Sequence, residues 1–229
     1  MTRYHAPPGG LPSQTTLMTA RAVFTPAYCF IPKGCFTDIV TSALPGWTKT
    51  RLWLIARPMS GFAETFSQYV MEVAPGGGSR TPDPDSGAEH WLFFTQGLAT
   101  LTLAGATHRM EPGTYAYIPP ATGWSLQADG TTPACFHWLR KLYEPAPGLS
   151  TPQPFVVNER DVPVRWMPDT SDTWGTTRFV DQDWVEVEAG DFIWLRAFCP
   201  QACLAAGPGP FRYLLYKDVN RHANLRHLR

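Results

Sequence analysis

Net charge is the first thing this chain lacks. Its 229 residues carry 19 basic and 19 acidic side chains, for a formal charge of zero. A neutral chain gives no electrostatic footprint for nucleic acid or an anionic membrane, so neither is expected as a partner. Charge of either sign is also scarce, at 17% of residues against roughly 25% in ordinary globular domains. Long apolar runs are missing: no stretch approaches the ~18 residues that a membrane span needs. The segment from Met1 to Pro12 carries Arg3 and His5 and no apolar run before its prolines. It does not read as a signal peptide, and a cytoplasmic location is expected.

Paired cysteines are lacking too. The five present (Cys29, Cys35, Cys135, Cys199 and Cys203) are odd in number and form no C-x-x-C pair. Cys199 and Cys203 make a poor zinc knuckle without a second pair, so free thiols are expected. No G-x-S-x-G, phosphate loop, G-x-G-x-x-G or H-E-x-x-H occurs, which removes the commonest hydrolase, nucleotide and zinc-protease signatures. Gly76-Gly77-Gly78 lacks the Lys-Ser/Thr of a phosphate loop and reads as a turn. Histidine is absent from the whole stretch between His137 and His222. His108 and His137 read as strand residues, and His222 and His227 as tail.

What is present points to β-structure. Hydrophobic residues make up 44% of the chain and aromatics 13%, enough to bury a core. The 19 glycines and 23 prolines leave little room for long helices. Ala99–Leu103 alternates threonine with leucine, Ala104-Gly105 offers a turn, and Ala106–Met110 returns, which predicts a hairpin. Val185 and Val187 alternate with Glu186 and Glu188 in the same two-residue period. Pro-rich punctuation across Glu144–Pro154 predicts a linker between two globular halves.

An internal repeat orders these pieces. Glu111-Pro112-Gly113-Thr114-Tyr115-Ala116-Tyr117-Ile118 is answered by Glu188-Ala189-Gly190-Asp191-Phe192-Ile193-Trp194-Leu195 at a constant offset of 77. Phe136-His137-Trp138-Leu139 is answered by Phe211-Arg212-Tyr213-Leu214 at an offset of 75. Both copies predict strand, tight glycine turn, aromatic strand and a further apolar strand. The copies are unequal. About 50 residues of strand-like sequence precede Gly113, counted from Phe62, whereas strand-like sequence before Gly190 begins only at Asp183. Asp169–Asp181, just upstream, is polar and has no strand period. The second copy lacks its front half.

Two E-x-G turns with Pro-rich returns outline a pair of cupins, small antiparallel jelly-roll barrels. Further residues narrow the likeness: Gly61-Phe62-Ala63-Glu64-Thr65-Phe66, Glu72 to Gly78, Phe136 to Lys141, Asp183 to Asp191, Arg196 to Ala202, and Arg212 to Arg221. Over nearly the whole chain, from about Leu17 to His222, the sequence resembles the (S)-ureidoglycine aminohydrolases. That resemblance implies an all-β bicupin with an incomplete second barrel. Residues 1–60 would form an N-terminal arm and first strands, 61–144 a first cupin without metal, 145–181 a linker, and 182–229 the C-terminal half of a second cupin.

The same resemblance implies manganese-dependent hydrolysis of ureidoglycine to ureidoglycolate and ammonia in allantoin breakdown, with a homo-oligomer expected. The family's metal ligands are a glutamate, two histidines and a glutamine in the second cupin. The glutamine matches Gln201, and the substrate-contacting tyrosine and lysine match Tyr213 and Lys217. A lysine ammonium suits a substrate carboxylate, and a phenol can hydrogen-bond a ureido or amine group. The glutamate and both histidines, on an E-x-H-x-x-x-H stretch in the family, have no counterpart here. At the offset of 77, Gln201 falls opposite Trp124 in the first copy. Competing readings are a non-catalytic cupin, and a different metal cupin that uses an oxygen-rich first-barrel set of Asp83, Asp85 and His90.

Overall fold

The fold was analysed on a computed structural model that describes residues 21–33, 41–58, 65–163, 186–195, 208–209 and 211–216. The described residues form twelve strands, a 3₁₀ turn at Glu159–Asp161 and no α-helix, so the all-β expectation holds. The strands are β1 (Val23–Phe24), β2 (Tyr28–Ile31), β3 (Thr48–Ala56), β4 (Phe66–Ser79), β5 (Ala88–Gln96) and β6 (Ala99–Leu103). They continue as β7 (Ala106–Met110), β8 (Thr114–Ile118), β9 (Trp124–Ala128), β10 (Ala134–Leu142), β11 (Phe155–Asn158) and β12 (Phe192–Leu195).

Nine strands build a nearly closed barrel in the order β11-β8-β5-β10-β4-β9-β6-β7, with β3 on the other side of β4. Strand β4 makes the corner. Its first part pairs with β10 and β3, and its last two residues pair with β9. Gly78 permits this crossing: its φ is +147°, and a Cβ there would stand 2.0 Å from the Leu126 carbonyl oxygen. The expected β6–β7 hairpin is present, with Ala104 and Gly105 both at positive φ, as its two-residue turn requires.

Alternation along the strands sorts the side chains. Met71, Val73, Leu92, Phe94, Leu101, Met110, Ile118, Leu126, Phe136 and Trp138 point inward and fill the core, with Phe94 stacked on Phe136 at 4.7 Å. The stretch read as a linker is not all linker: Phe155–Asn158 adds β11 to the edge of β8. The alternation at Glu186–Glu188 is not a strand either. These residues enter a turn whose carboxylates take Arg21 and Lys33.

The second sheet has three strands in the order β1-β2-β12, which joins the N-terminal arm to the C-terminal half. Ile31 and Phe192 from this sheet pack on Trp53 and Val70, on the outer face of β3 and β4. The repeated turn is now visible as geometry. Gly113 and Gly190 have φ of +86° and +94°. The Thr114 amide donates to the Glu111 carbonyl at 2.9 Å, and the Asp191 amide to that of Glu188 at 3.1 Å. Thr114 Oγ1 accepts from the Glu111 amide and Asp191 Oδ2 from the Glu188 amide. The two stretches of the repeat therefore fold the same way.

Candidate functional site

The barrel interior beneath β5, β9 and β10 gathers the polar residues that the sequence singles out. His90 on β5 is 3% exposed and lies among indoles, with ring centroids 5.4 Å from Trp124 and 5.9 Å from Trp138. Trp47 and Tyr69 complete the cluster around Trp138, at 5.7 and 5.3 Å. The Trp138 Nε1–H donates to His90 Nδ1 at 3.3 Å, which makes that nitrogen an acceptor and the ring neutral. Burial, reinforced by the Arg140 guanidinium and opposed by the Asp85 carboxylate, lowers the His90 pKa from 6.5 to about 4.

Asp83, Asp85 and His90 do come together, around a cation the sequence reading missed. Arg140 pairs directly with His90 across β10 and β5. Its Nε stands 2.5 Å from Asp83 Oδ2, and its Nη2 is 3.2 Å from Asp83 Oδ1 and 3.7 Å from Asp85 Oδ2. Asp83 Oδ1 also accepts the Asp85 amide, and Asp85 Oδ1 the Gly87 amide, the local bonding that favours aspartate in turns. His90 Nδ1 is 3.9 Å from Asp83 Oδ2 but already accepts the Trp138 Nε1–H. Arg140 is permanently charged and takes the carboxylate a metal would need. The set does not fit a divalent cation, and no group of three or more His, Cys, Asp or Glu side chains suited to a metal forms among the described residues. In the structure the candidate first-barrel set stands in an ion-pair network with Arg140. Alternation along Trp138-Leu139-Arg140 was the signal that put Arg140 on the inner face.

Of the residues matched to the family's site, Gln201 and Lys217 lie outside the described residues. Tyr213 is 64% exposed, with the Phe211 ring 5.7 Å away. Its neighbours run along the outside of the barrel: Arg212 pairs with Glu159, and the Tyr216 ring lies 4.6 Å from Phe66 and 5.6 Å from Trp91. Trp138, which answers Tyr213 in the first copy, is buried in the core. The two halves thus place equivalent residues in opposite environments.

The outer face of the barrel carries two further polar features. Glu72, 8% exposed, pairs with Arg51 at 2.6 Å, and the Arg51 guanidinium sits over Trp53. His137 on β10 is half-buried with no partner on Nδ1, and desolvation lowers its pKa to about 4. Two shallow clefts of about 280 and 290 Å³ share Glu89 and Pro152, and the second adds Trp91, Tyr115, Tyr117 and Phe155. These are outward-facing residues of β5, β8 and β11, on the other side of the sheet from His90.

Comparison with known proteins fits this architecture. The Cupin domain family model matches residues 69–140, the span from β4 to β10. A crystal structure of a "Putative Glyoxylate Induced Protein" from Pseudomonas aeruginosa is 48% identical, covers 98% of this chain and 99% of its own, and superposes with a TM-score of 0.86. The (S)-ureidoglycine aminohydrolase of Arabidopsis thaliana is 27% identical over 80% of this chain and 74% of its own length. The enzyme of the same name from Escherichia coli K12 is 23% identical over 82% and 87%. The Arabidopsis alignment runs over 226 positions but engages 80% of 229 residues, about 183, so about 43 positions face no residue here. The Escherichia coli alignment runs over 233 positions and engages 82%, about 188, leaving about 45. With the barrel, the paired E-x-G turns and these relatives in agreement, the chain carries a Cupin domain over residues 69–140 and is similar to the (S)-ureidoglycine aminohydrolases.

Proposed function

We propose that this protein acts on ureidoglycine, the compound named in its relatives, within allantoin breakdown. In that reaction water adds, the bond from carbon to the amine breaks, ammonia leaves, and ureidoglycolate remains. The observation that carries the reading is the alignment with two named aminohydrolases over four fifths of this chain. Tyr213 and Lys217 would hold the ureido group and the carboxylate by hydrogen bonding and charge. The family's manganese would supply a Lewis acid for the substrate. Of its ligands, Gln201 alone has a counterpart here, and one amide oxygen does not meet manganese's preference for several oxygen and nitrogen donors. No step is therefore routed through the metal. A homo-oligomer in the cytoplasm completes the proposal; among the described residues no helix is long and apolar enough to cross a membrane.

A second reading is favoured by the ligand count: the first barrel is filled by three indoles, Arg140 and Asp83, and of the family's second-cupin ligands only Gln201 has a counterpart in the sequence. On that reading the protein is a non-catalytic cupin that binds a small ureido compound or serves assembly. The two separate in one assay on the full chain with added Mn²⁺. Ammonia released from ureidoglycine above the uncatalysed rate, and lost in Lys217→Ala, supports the hydrolase. Calorimetric binding of ureidoglycolate without ammonia release supports the non-catalytic member, and neither signal would sink both.

A further inference from the structure

The two sheets exchange strands reciprocally. Strand β11, which leads into the C-terminal half, pairs with β8 of the first barrel. Strand β2, which leads into the first barrel, pairs with β12 of the C-terminal half. The registers are equivalent: Val157 faces Tyr115, and Ile31 faces Phe192, which answers Tyr115 at the repeat's offset of 77. Ile31 and Val157 are therefore matching points at the start of the two copies, and Gly113 and Gly190 are matching points further along. Gly113 follows Ile31 at a sequence offset of 82, whereas Gly190 follows Val157 at an offset of only 33, a deficit of 49.

In the first copy that interval builds β3 to β7, strands of 9, 14, 9, 5 and 5 residues. Even before any turn is counted, those five strands together outrun the whole interval available in the second copy. The second copy cannot close a barrel from its own chain, whatever path its residues take. The shortfall agrees with the 43 to 45 positions of the two aminohydrolases that face no residue here. It falls in the interval that in the first copy holds Asp83, Asp85 and His90, and no histidine lies between His137 and His222 to replace what is lost.

We infer that the C-terminal half is a cupin copy too short to close a barrel, which assembles no manganese site and instead clamps the N-terminal arm onto the first barrel. The clamp is built from the retained turn. The Asp191 side chain, fully buried, takes Arg21 at 2.5 Å through Oδ2 and the Lys33 amide at 2.9 Å through Oδ1. Glu188 takes Lys33 Nζ at 2.6 Å. Lys33, which holds the E-x-G turn of the second copy, stands where Glu159 stands at the first, whose amide donates to the Gly113 carbonyl at 2.9 Å. A second molecule cannot supply the missing ligands, because it lacks them too.

This inference takes up the second functional reading and deepens it. The test is metal content of the full-length chain after saturation with Mn²⁺ and desalting, read by plasma mass spectrometry. Less than about 0.1 manganese per chain is expected in the wild type and in Gln201→Ala alike. About one manganese per chain, lost in Gln201→Ala, would overturn it. Limited trypsin digestion reads the clamp: Asp191→Ala should speed cleavage at Arg21 or Lys33 about tenfold or more by opening the local structure. Unchanged cleavage would overturn the clamp role. Ureidoglycolate binding, measured on the same samples, fails or succeeds separately and reports only on the substrate reading.

Discussion

The turns at Gly113 and Gly190 share their glycine conformation, their backbone hydrogen bond and their side-chain acceptor, yet they serve different structures. The first opens a strand, β8, that is paired on both sides within a barrel. The second opens β12, which among the described residues pairs with β2 in a three-stranded sheet. Local geometry is decided within a single turn by a positive φ and two acceptors. Barrel closure is decided by chain length and by pairings far apart in sequence. A copy can therefore keep its turn and lose its barrel.

Acid should separate the two halves most strongly. His90 and His137 both belong to the first barrel and are held neutral, each with its pKa lowered to about 4. The unfolded chain takes up their protons near pH 6.5, so their contribution is complete above that pH and is lost as pH falls towards 4. Each histidine accounts for up to about 3 kcal/mol across that window. Denaturant unfolding monitored between about pH 7 and 4 should show this loss, with hydrogen exchange rising first in β5 and β10. A flat profile would mean that the histidines are not held neutral.

Next in size is Arg140→Met. It leaves the Asp83 carboxylate buried without its partner, at a cost of about 3 kcal/mol or more, and removes the charge that helps depress His90. The unfolding midpoint should fall, and the His90 titration followed by NMR should move up. Asp83→Asn in the same chain should recover much of the loss. An Arg140→Met protein as stable as wild type would break the account of the interior as an ion-pair network.

Smaller effects come from the paired glycines. Gly113→Ala forces a positive φ on alanine and drives its Cβ to 3.0 Å from Glu159, for about 1–3 kcal/mol of global stability. Gly190→Ala forces the same conformation outside the barrel. It should leave the main unfolding transition within about 0.5 kcal/mol and raise hydrogen exchange only over β2 and β12. Equal global losses in the two variants would show that the halves unfold as one, against the contrast drawn between them.

Much of the first barrel was legible in the sequence because its signals are local. The Ala104-Gly105 hairpin, the E-x-G turns and the alternating strands each depend on residues within reach of one another. Pairings between distant segments were not. Nothing in Tyr28–Ile31 announces Phe192–Leu195, in the other half of the chain, as its partner, and Phe155–Asn158 reads as linker because prolines surround it. The Val/Glu alternation before Gly190 suggested a strand, but its Glu188 carboxylate is spent on Arg21 and Lys33. For the candidate site, the sequence brought Asp83, Asp85 and His90 to notice and overlooked Arg140, because cross-strand register is a tertiary fact. The lopsided repeat was visible at once. The strand exchange gave it a length.

That length can be read on the protein itself. Trypsin cutting after Arg178 and Arg196 should release a peptide spanning Phe179–Arg196, which crosses the shortened interval and includes the second glycine turn. Mass spectrometry of the protein isolated from its own cells should find that peptide as the main product of this region. Its absence, with longer peptides in its place that carry additional glutamate and histidine, would contradict the shortened second copy.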